Sequence, residues 1–231
     1  MFERIKKAFA RDAKGLSESP TSQSPHAAHG PVSEWAASRG MSFASAPLSS
    51  AVSMQGKVGG RNWKMELGRA SRDYISGEEL RARAELGLSD NVAAMIINRT
   101  LKETLERRAY SMITDTLQTT ASPNLPEEMR WLAMYDEIGW EGVTDDFWRR
   151  YAVLADSREH AMAWVDGALV EQLLHWPQPS PSAKTPFLIV LLRGKAYLRM
   201  QYEPADTSTL EHAATVFTSA CESALGAFGR K

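Results

Sequence analysis

The side chains best suited to chemistry lie in one loop between two expected strands. Arg69, Arg72, Asp73 and Tyr74 fall within six residues, and a glycine lies on each side of the group. Loops on a rigid sheet often carry binding residues, and arginine with tyrosine is a common combination at recognition surfaces. We therefore take the four residues as candidate ligand-binding residues. The alternative interpretation is a local salt bridge, with the tyrosine ring shielding the edge of the sheet.

Other residues whose side chains could bind a metal ion or act as a nucleophile have simpler explanations. Five acids in the stretch 136–146 suit a hard cation, but the stretch lacks the alternating ligands and central glycine of an EF-hand, so a solvated acidic face is the alternative. His26 and His29 are two ligands without a third. Cys221 lies in an apolar helical stripe with no histidine placed to activate it, which favours a buried, inert thiol. The sequence predicts no metal site.

Sequence motifs of common catalytic sites are missing. The chain has no dinucleotide-binding glycine motif, no Walker phosphate loop, no His-Glu-x-x-His, no Cys-x-x-Cys and no Gly-x-Ser-x-Gly. The glycine-rich stretch from Gly56 leads into a strand, whereas a phosphate cradle needs a helix N-terminus behind it. Catalytic groups also converge from distant positions, so these absences lower the expectation of an enzyme without excluding one. We predict no cofactor.

The candidate loop is positioned by segments whose patterns predict strands. Apolar and polar residues alternate in 52–58 and 61–67, and the Gly59-Gly60 pair between them is typical of a tight hairpin turn. This directs Val58, Trp63, Met65 and Leu67 at a core. Residues 80–86 also alternate, and residues 92–97 are continuously apolar, as in a central strand covered on both faces. Together they predict a meander of four strands.

Amphipathic helices are predicted to close the apolar face of this meander. Thr100 begins Thr-Leu-Lys-Glu, a capping box, and apolar residues at helical spacing follow it. Ser33 is placed to cap a short helix over 34–39 that ends at Gly40. A further short helix is expected over 129–135, after a proline and two acids that suit a helix start.

The second half of the chain predicts a strand, a long helix, a hairpin and a final helix. Residues 151–155 indicate the strand, and a capping-box-like start at Asp156 opens a helix expected to continue to Trp176. The hairpin covers 187–192 and 196–202, and Ser208 is expected to cap the last helix. The predicted fold class is α+β: a mostly antiparallel sheet, made of the N-terminal meander and C-terminal hairpin, covered by amphipathic helices.

Length and composition bound the function classes. A chain of 231 residues with 43% hydrophobic residues can bury one sizeable core, and we expect a single α+β domain over 32–229. The 27 basic residues are interspersed with 28 acidic ones, which argues against nucleic-acid binding by phosphate neutralisation. One cysteine excludes an internal disulfide, and neither a membrane-length apolar run nor a secretory signal is visible. These features predict a cytoplasmic protein.

The N-terminus has a different character from the rest of the chain. Within residues 1–15, Phe2, Ile5 and Phe9 share one helical face, and Lys6 is one of four basic residues around it. Such a basic amphipathic segment suits docking on a protein partner or weakly on the inner membrane face. The alternative is a helix that frays or packs on its own domain. Residues 16–31 are rich in Ser and Pro and predict a disordered linker.

Residues 33–228 resemble a kind of bacterial domain of unknown function in which a strand, a long helix and a final hairpin follow one another. The resemblance implies the same α+β order of elements and transfers no catalytic residue. Some such domains are tied to a membrane, and this chain departs from them in lacking a spanning helix. The resemblance is carried by Trp35, Ala36, Gly40, Gly56, Gly59, Gly60, Arg61, Phe147, Tyr151, Val153, Asp156, Ala161, Leu173, Leu174 and Trp176.

Two hypotheses of different class follow from the sequence. The first is a non-enzymatic interaction or adaptor module with an unidentified protein partner, held near that partner or the inner membrane face by its N-terminal segment. The second is a small-ligand-binding protein or an enzyme of unknown reaction, with its site near residues 69–74. The missing catalytic motifs and the amphipathic N-terminus favour the first.

Overall fold

The computed structural model describes residues 30–45, 51–116 and 127–229. Within these residues the chain forms seven helices and nine strands. The helices are α1 (Gly30–Ser38), α2 (Arg99–Thr116), α3 (Glu127–Met134), α4 (Asp145–Arg150), α5 (Arg158–Trp164), α6 (Gly167–Leu174) and α7 (Thr207–Phe228). The strands are β1 (Ser42–Ser45), β2 (Val52–Val58), β3 (Arg61–Arg69), β4 (Glu78–Glu85), β5 (Ala94–Asn98), β6 (Asp136–Glu137), β7 (Tyr151–Ala155), β8 (Phe187–Leu192) and β9 (Lys195–Gln201).

All nine strands form one antiparallel sheet, in the order β1-β2-β3-β4-β9-β8-β5-β7-β6. The predicted α+β class with a mostly antiparallel sheet is therefore confirmed. The predicted meander of four strands is wrong in its last step, because the β8–β9 hairpin lies between β4 and β5. Every residue of β5 is buried, and such a strand needs partners on both sides, which β8 and β7 provide.

The two predicted hairpins are present, and the second differs from the prediction in that β9 begins at Lys195, opposite Leu192. β2 and β3 are joined by Gly59 and Gly60, which both have positive φ and leave Val58 opposite Arg61. β8 and β9 are joined by Arg193 and Gly194, at φ 49° and 72°. A Cβ atom at Gly194 would lie 2.8 Å from the carbonyl oxygen of Leu88, so glycine is required there for packing as well as for its backbone angle.

One face of the sheet is covered along most of its width. Helices α1 and α4 to α7 pack on it, and the strand residues predicted to face a core, Val58, Trp63, Met65 and Leu67, are buried there. Trp164 and Phe217 are among the largest fully buried side chains of this layer. Cys221 of α7 is also fully buried, and burial raises the pKa of its thiol, as the sequence interpretation of an inert cysteine requires.

The opposite face is covered over only part of its width. Helices α2 and α3 pack on β5, β7 and β8 and bury a second apolar cluster, which includes Ile97, Leu101, Leu105, Met129 and Val190. Most charged side chains of β3, β4 and β9 lie on this same face beyond the helices, because side chains alternate along each strand: Lys64, Glu66, Glu79, Arg81, Arg83, Glu85, Lys195 and Arg199. Among the described helices, none combines the length and apolar character needed to cross a membrane.

Several predicted helix boundaries differ from the structure. Ser33, which was predicted to cap the first helix, lies inside α1 and does not cap it. The helix expected from Asp156 to Trp176 is two helices, α5 and α6, because the Asp166 carboxylate accepts a hydrogen bond from the backbone N–H of Leu169 at 2.8 Å and begins a new helix. Helix α7 is capped by Asp206 instead of Ser208. Helix α2 begins at Arg99, so Thr100 lies inside it and does not cap it.

Candidate functional site

Two of the four loop residues singled out in the sequence meet on one buried carboxylate. Arg72 Nε donates to Glu128 Oε1 at 2.8 Å, and the Tyr74 hydroxyl donates to the same oxygen at 3.2 Å. The Glu128 side chain at the start of α3 is only 4% exposed. Burial and the adjacent Glu128 charge both raise the pKa of Tyr74, so this phenol remains a hydrogen-bond donor. Burial alone would lower the pKa of Arg72, but Glu128 outweighs it and the pKa is raised.

The other two loop residues point elsewhere. Arg69 is exposed at the end of β3 and shares the strand side of Trp63, Met65 and Leu67, opposite the charged face. Asp73 is 73% exposed and accepts a hydrogen bond from Arg108 of α2 at 2.9 Å. The structure therefore brings Arg72 and Tyr74 together, and leaves Arg69 and Asp73 apart from them. Ligand binding by these residues stays a prediction.

A second buried acid, absent from the sequence interpretation, extends this ion-pair network into the sheet. Glu79 of β4 is fully buried and pairs with Arg199 of the neighbouring strand β9. Arg199 also lies 3.6 Å from Glu128 Oε1, and its Nη1 donates to Ser71 Oγ at 2.8 Å. The backbone N–H of Ser71 donates to Glu79 at 2.6 Å. Buried carboxylates require such partners, and here they fix the loop, α3 and β9 to one another.

From this network a groove of about 760 Å³ extends over β3, β4, β9 and β8, which we call the sheet groove. Helix α3 forms one side with Glu127, Glu128 and Trp131. The floor is charged on β3, β4 and β9, and it is apolar on β8, where Leu188, Val190 and Leu192 lie. Seven cationic side chains and four carboxylates line the groove, so its surface carries an excess of positive charge.

The strand register explains how the floor changes character. In one row across the sheet, Arg81 lies opposite Arg199, and Arg199 lies opposite Leu188. In the next row, Arg83 lies opposite Tyr197, and Tyr197 lies opposite Val190. Both rows pass from arginine to aliphatic residues between β4 and β8. Leu188 and Val190 are themselves buried, so the apolar side chains that a molecule in the groove would meet beside these cations are the half-buried Trp131, Leu192 and Tyr197.

Most cations of the groove already have a carboxylate partner. Lys64 pairs with Glu66 at 2.6 Å, and Arg83 and Lys195 both pair with Glu85. Arg81 differs from them: it forms no ion pair or hydrogen bond with any residue in the described part of the chain, and its Nε is buried without an acceptor. Like charges directly opposite each other destabilise a sheet, and Arg81 lies opposite Arg199.

One carboxylate oxygen at the groove also lacks a hydrogen-bond donor. Oε1 of Glu128 accepts from Arg72 and Tyr74, while its Oε2 is buried and has no donor among the described residues. Four residues of the site were not predicted from the sequence, because a charged residue in a strand or an acid at a helix start is common and indicates no site by itself. They are Glu79, Arg81, Glu128 and Arg199. Their role depends on contacts between positions up to 128 residues apart.

The acidic stretch 136–146 is used in surface ion pairs. Glu137 of β6 accepts from Arg99 at 2.8 Å and lies 3.1 Å from Lys102 Nζ, so it ties the edge strand to α2. Asp146 pairs with Arg149 one helical turn away. The part of the chain that the structure describes contains no group of three or more acids, histidines and cysteines able to hold a metal ion. Phe2, Ile5, Lys6 and Phe9, the candidate docking residues, lie outside the described residues, as do His26 and His29.

Comparison with known proteins adds little to this geometry. No protein-family model matches the chain, and no curated protein matches it. A solved structure, that of the mycobacterial trehalose monomycolate transport factor A, is similar over 83% of this chain and 91% of that chain, with 9% sequence identity and a TM-score of 0.44. At this TM-score the likeness supports no statement about the function of the chain.

Proposed function

We propose that the protein is an interaction module that binds a segment of a partner protein in the sheet groove. The observation that carries this proposal is the contrast within one sheet face: α2 and α3 bury the face over β5, β7 and β8, while the same face stays open over β3, β4 and β9. The open part is charged and lies beside the half-buried apolar side chains of Trp131, Leu192 and Tyr197. Mixed surfaces of this kind, with aromatic and arginine anchors, are typical of protein recognition.

The buried ion pairs support recognition by a preformed surface. Glu79 and Glu128 are each held by arginines, and these contacts join the 69–77 loop, α3 and β9. A surface fixed in this way loses little conformational entropy when it binds a partner. The carboxylates serve to organise the groove in this proposal, and the protein acts as an adaptor without chemistry of its own.

The N-terminal segment extends the proposal. Residues 1–15 would dock on a partner or on the inner face of the membrane through Phe2, Ile5, Lys6 and Phe9, with the body of the protein in the cytoplasm. Deleting residues 1–15 and fractionating cells tests this part separately. A distribution that does not change after the deletion would remove membrane docking from the proposal.

A small-molecule site is the second candidate, and the size of the groove favours it. Its volume of about 760 Å³ lies within the range of known ligand sites, roughly 300–1,000 Å³. A thermal-shift screen of small molecules on the wild type and on Arg72→Ala addresses it. A true ligand should raise the Tm of the wild type and lose that effect in the variant, provided that the variant still folds.

Site-specific photo-crosslinking in cells tests the leading proposal. A benzophenone amino acid replaces Tyr197 on the groove floor or, as a matched aromatic control, Tyr110, which is 72% exposed on α2 and does not line the groove. We expect a discrete adduct with one protein from position 197, at a reproducible segment identified by mass spectrometry, and no such adduct from position 110. Equal labelling at both positions, or none at 197, would refute binding in the groove.

A further inference from the structure

Two groove cations, Arg81 and Arg193, form no ion pair with a described residue, and of these two only Arg81 has a buried nitrogen without an acceptor, because Arg193 is exposed. The cross-strand neighbour of Arg81 on β3, Glu66, pairs with Lys64 at 2.6 Å. Its neighbour on β9, Arg199, has the same charge and is engaged by Glu79 and Glu128. Arg81 therefore has a cation on one side and an already paired carboxylate on the other.

This arrangement destabilises the empty groove. A buried guanidinium nitrogen without an acceptor loses its hydration and gains no hydrogen bond, and a like charge opposite adds repulsion. An incoming carboxylate would offset the repulsion and give the guanidinium group an acceptor. The guanidinium fork matches a carboxylate in a bidentate geometry, which gives direction as well as strength to the contact.

The remaining groove residues restrict which anion fits. Five of the seven groove cations are already paired with carboxylates, so few remain to neutralise the many charges of a phosphate backbone, and an isolated carboxylate suits the groove better than a nucleic acid. Glu128 Oε2 needs a donor, and a polypeptide supplies backbone N–H groups together with acidic side chains. These two unfilled groups therefore favour a peptide.

The half-buried apolar side chains of the groove determine which residue suits the position next to that acid. Leu188 and Val190 of β8 are buried, but Tyr197 of β9 is half-buried and lies one strand and two residues from Arg81, which is roughly 8 Å at ordinary strand geometry. Side chains two residues apart on one side of an extended segment begin about 7 Å apart, which matches this separation. An apolar side chain placed there would lie beside Tyr197 and Trp131.

We propose that Arg81 selects partner segments in which an acidic residue alternates with apolar residues, by binding the acidic side chain while an apolar side chain lies on Tyr197 and Trp131. This inference rests on the proposed function and names the chemistry of its partner. Arg81 is a specificity-determining residue in this scheme, and Arg199 and Glu128 position the groove around it.

Fluorescence anisotropy of the full chain with three short fluorescein-labelled peptides tests the inference. The peptides alternate leucine with aspartate, with asparagine or with lysine, so that they differ in charge at constant length. We expect the aspartate peptide to bind at least about tenfold more tightly than the other two, as one charge-assisted bidentate contact would give. Arg81→Gln should abolish this preference.

Arg69→Gln is the matched control, because it makes the same substitution on the same sheet but on the opposite face. It should keep the aspartate preference. Arg81→Lys retains the charge without the fork and should retain only part of the preference, so a second variant remains informative if Arg81→Gln does not fold. Thermal unfolding establishes folding for each variant.

The outcomes separate this inference from the proposed function. Equal binding of all three peptides, or a preference that survives Arg81→Gln, would overturn the role of Arg81 and leave the groove as a binding surface. Failure of all three peptides to bind, while adducts at position 197 persist, would likewise overturn only the acidic motif. Failure of both experiments would remove the proposed function as well.

Discussion

The two parts of one sheet face differ in whether helices cover them. Over β5, β7 and β8 the face is apolar, and α2 and α3 seal it with side chains such as Leu101, Leu105 and Met129. Over β3, β4 and β9 it is charged and no described helix covers it. In a single register row, Arg81 is followed by Arg199, Leu188 and Ile97, so the change occurs between adjacent strands.

This difference separates stability from recognition. The covered part contributes by removing apolar area from water, which is the dominant favourable term in folding. The open part contributes little area, and its ion pairs are for the most part exposed and weakly stabilising. Instead, it contains one buried hydrogen-bond donor and one buried acceptor that have no partner among the described residues, Arg81 Nε and Glu128 Oε2. Substitutions in the two parts should therefore have opposite consequences for stability and binding.

The largest loss of stability is expected in the covered part. Leu105 of α2 is fully buried against the sheet, so Leu105→Ala should lower the free energy of unfolding by about 2–5 kcal/mol through lost apolar burial and a residual cavity. Lys64→Ala in the open part, which removes only an exposed ion pair, should change it by about 0.5 kcal/mol or less. Chemical denaturation measures both. Comparable losses would contradict the division into a stabilising and a recognising part.

The next largest effect is expected at the boundary between the two parts. Glu128→Gln removes the charge that holds Arg72 and Arg199, and we expect a loss of roughly 2 kcal/mol, less than for a fully buried pair because Arg72 is partly exposed. Glu127→Gln is the matched control. It also removes an acid from the first turn of α3, but Glu127 is exposed and forms no ion pair with a described residue, so the helix-dipole contribution cancels in the comparison.

Equal unfolding free energies for the two Glu variants would show that Glu128 acts only on the helix dipole. A second readout refines the result: if Glu128 fixes the loop, then hydrogen exchange at residues 69–77 should speed up in Glu128→Gln and stay unchanged in Glu127→Gln.

The sequence predicted the elements of this fold better than their arrangement. Alternation in β2, β3 and β9 and the continuous apolar runs of β5 and β8 are local signals, and the two hairpins follow from turn residues such as Gly59-Gly60. Strand order is not local. Several apolar strands were acceptable partners for β5, and only the packed structure places β8 beside it.

The contacts within the candidate site, like the strand order, could not be predicted from local sequence signals. Arg72 and Tyr74 stood out because the loop concentrates them, but their partner Glu128 is more than 50 positions away. Arg81 looked like an ordinary polar position of β4, and what distinguishes it is the lack of a partner in three dimensions. The break between α5 and α6 was readable, since Asp166 followed by Gly167 is a helix-start signal within the expected helix.

Arg81→Gln should change stability and peptide binding in opposite directions. Because it relieves repulsion with Arg199 and removes a buried donor without an acceptor, we expect the free energy of unfolding to rise by about 0.2–1 kcal/mol while the aspartate peptide loses affinity. Arg69→Gln, on the opposite face, should alter neither by a comparable amount. Chemical denaturation measures the free energy of unfolding, and titration with the aspartate peptide measures the affinity of the same samples. A clear loss of stability in Arg81→Gln would mean that Arg81 is a structural residue.

The smallest effect is expected at the far edge of the covered part, where Glu137 joins β6 to α2. Partial burial alone would raise the pKa of Glu137, but hydrogen bonds and charges from Arg99 and Lys102 outweigh it and lower the pKa below its ordinary value. A lowered folded pKa stabilises the protein above the unfolded pKa of about 4.5, and this contribution is lost as the pH falls through the folded pKa. The Tm of Glu137→Gln should therefore lie below that of the wild type at pH 7, and the gap should close in acid.

Glu141→Gln provides the reference for that titration, because Glu141 is exposed nearby and forms no ion pair with a described residue. Its Tm should follow the wild type at every pH. If the Tm gap of Glu137→Gln stays constant from pH 7 into acid, then the loss arises from packing at the edge strand and not from the carboxylate charge. A gap that widens in acid would require a folded pKa above the unfolded one, which the positions of Arg99 and Lys102 oppose.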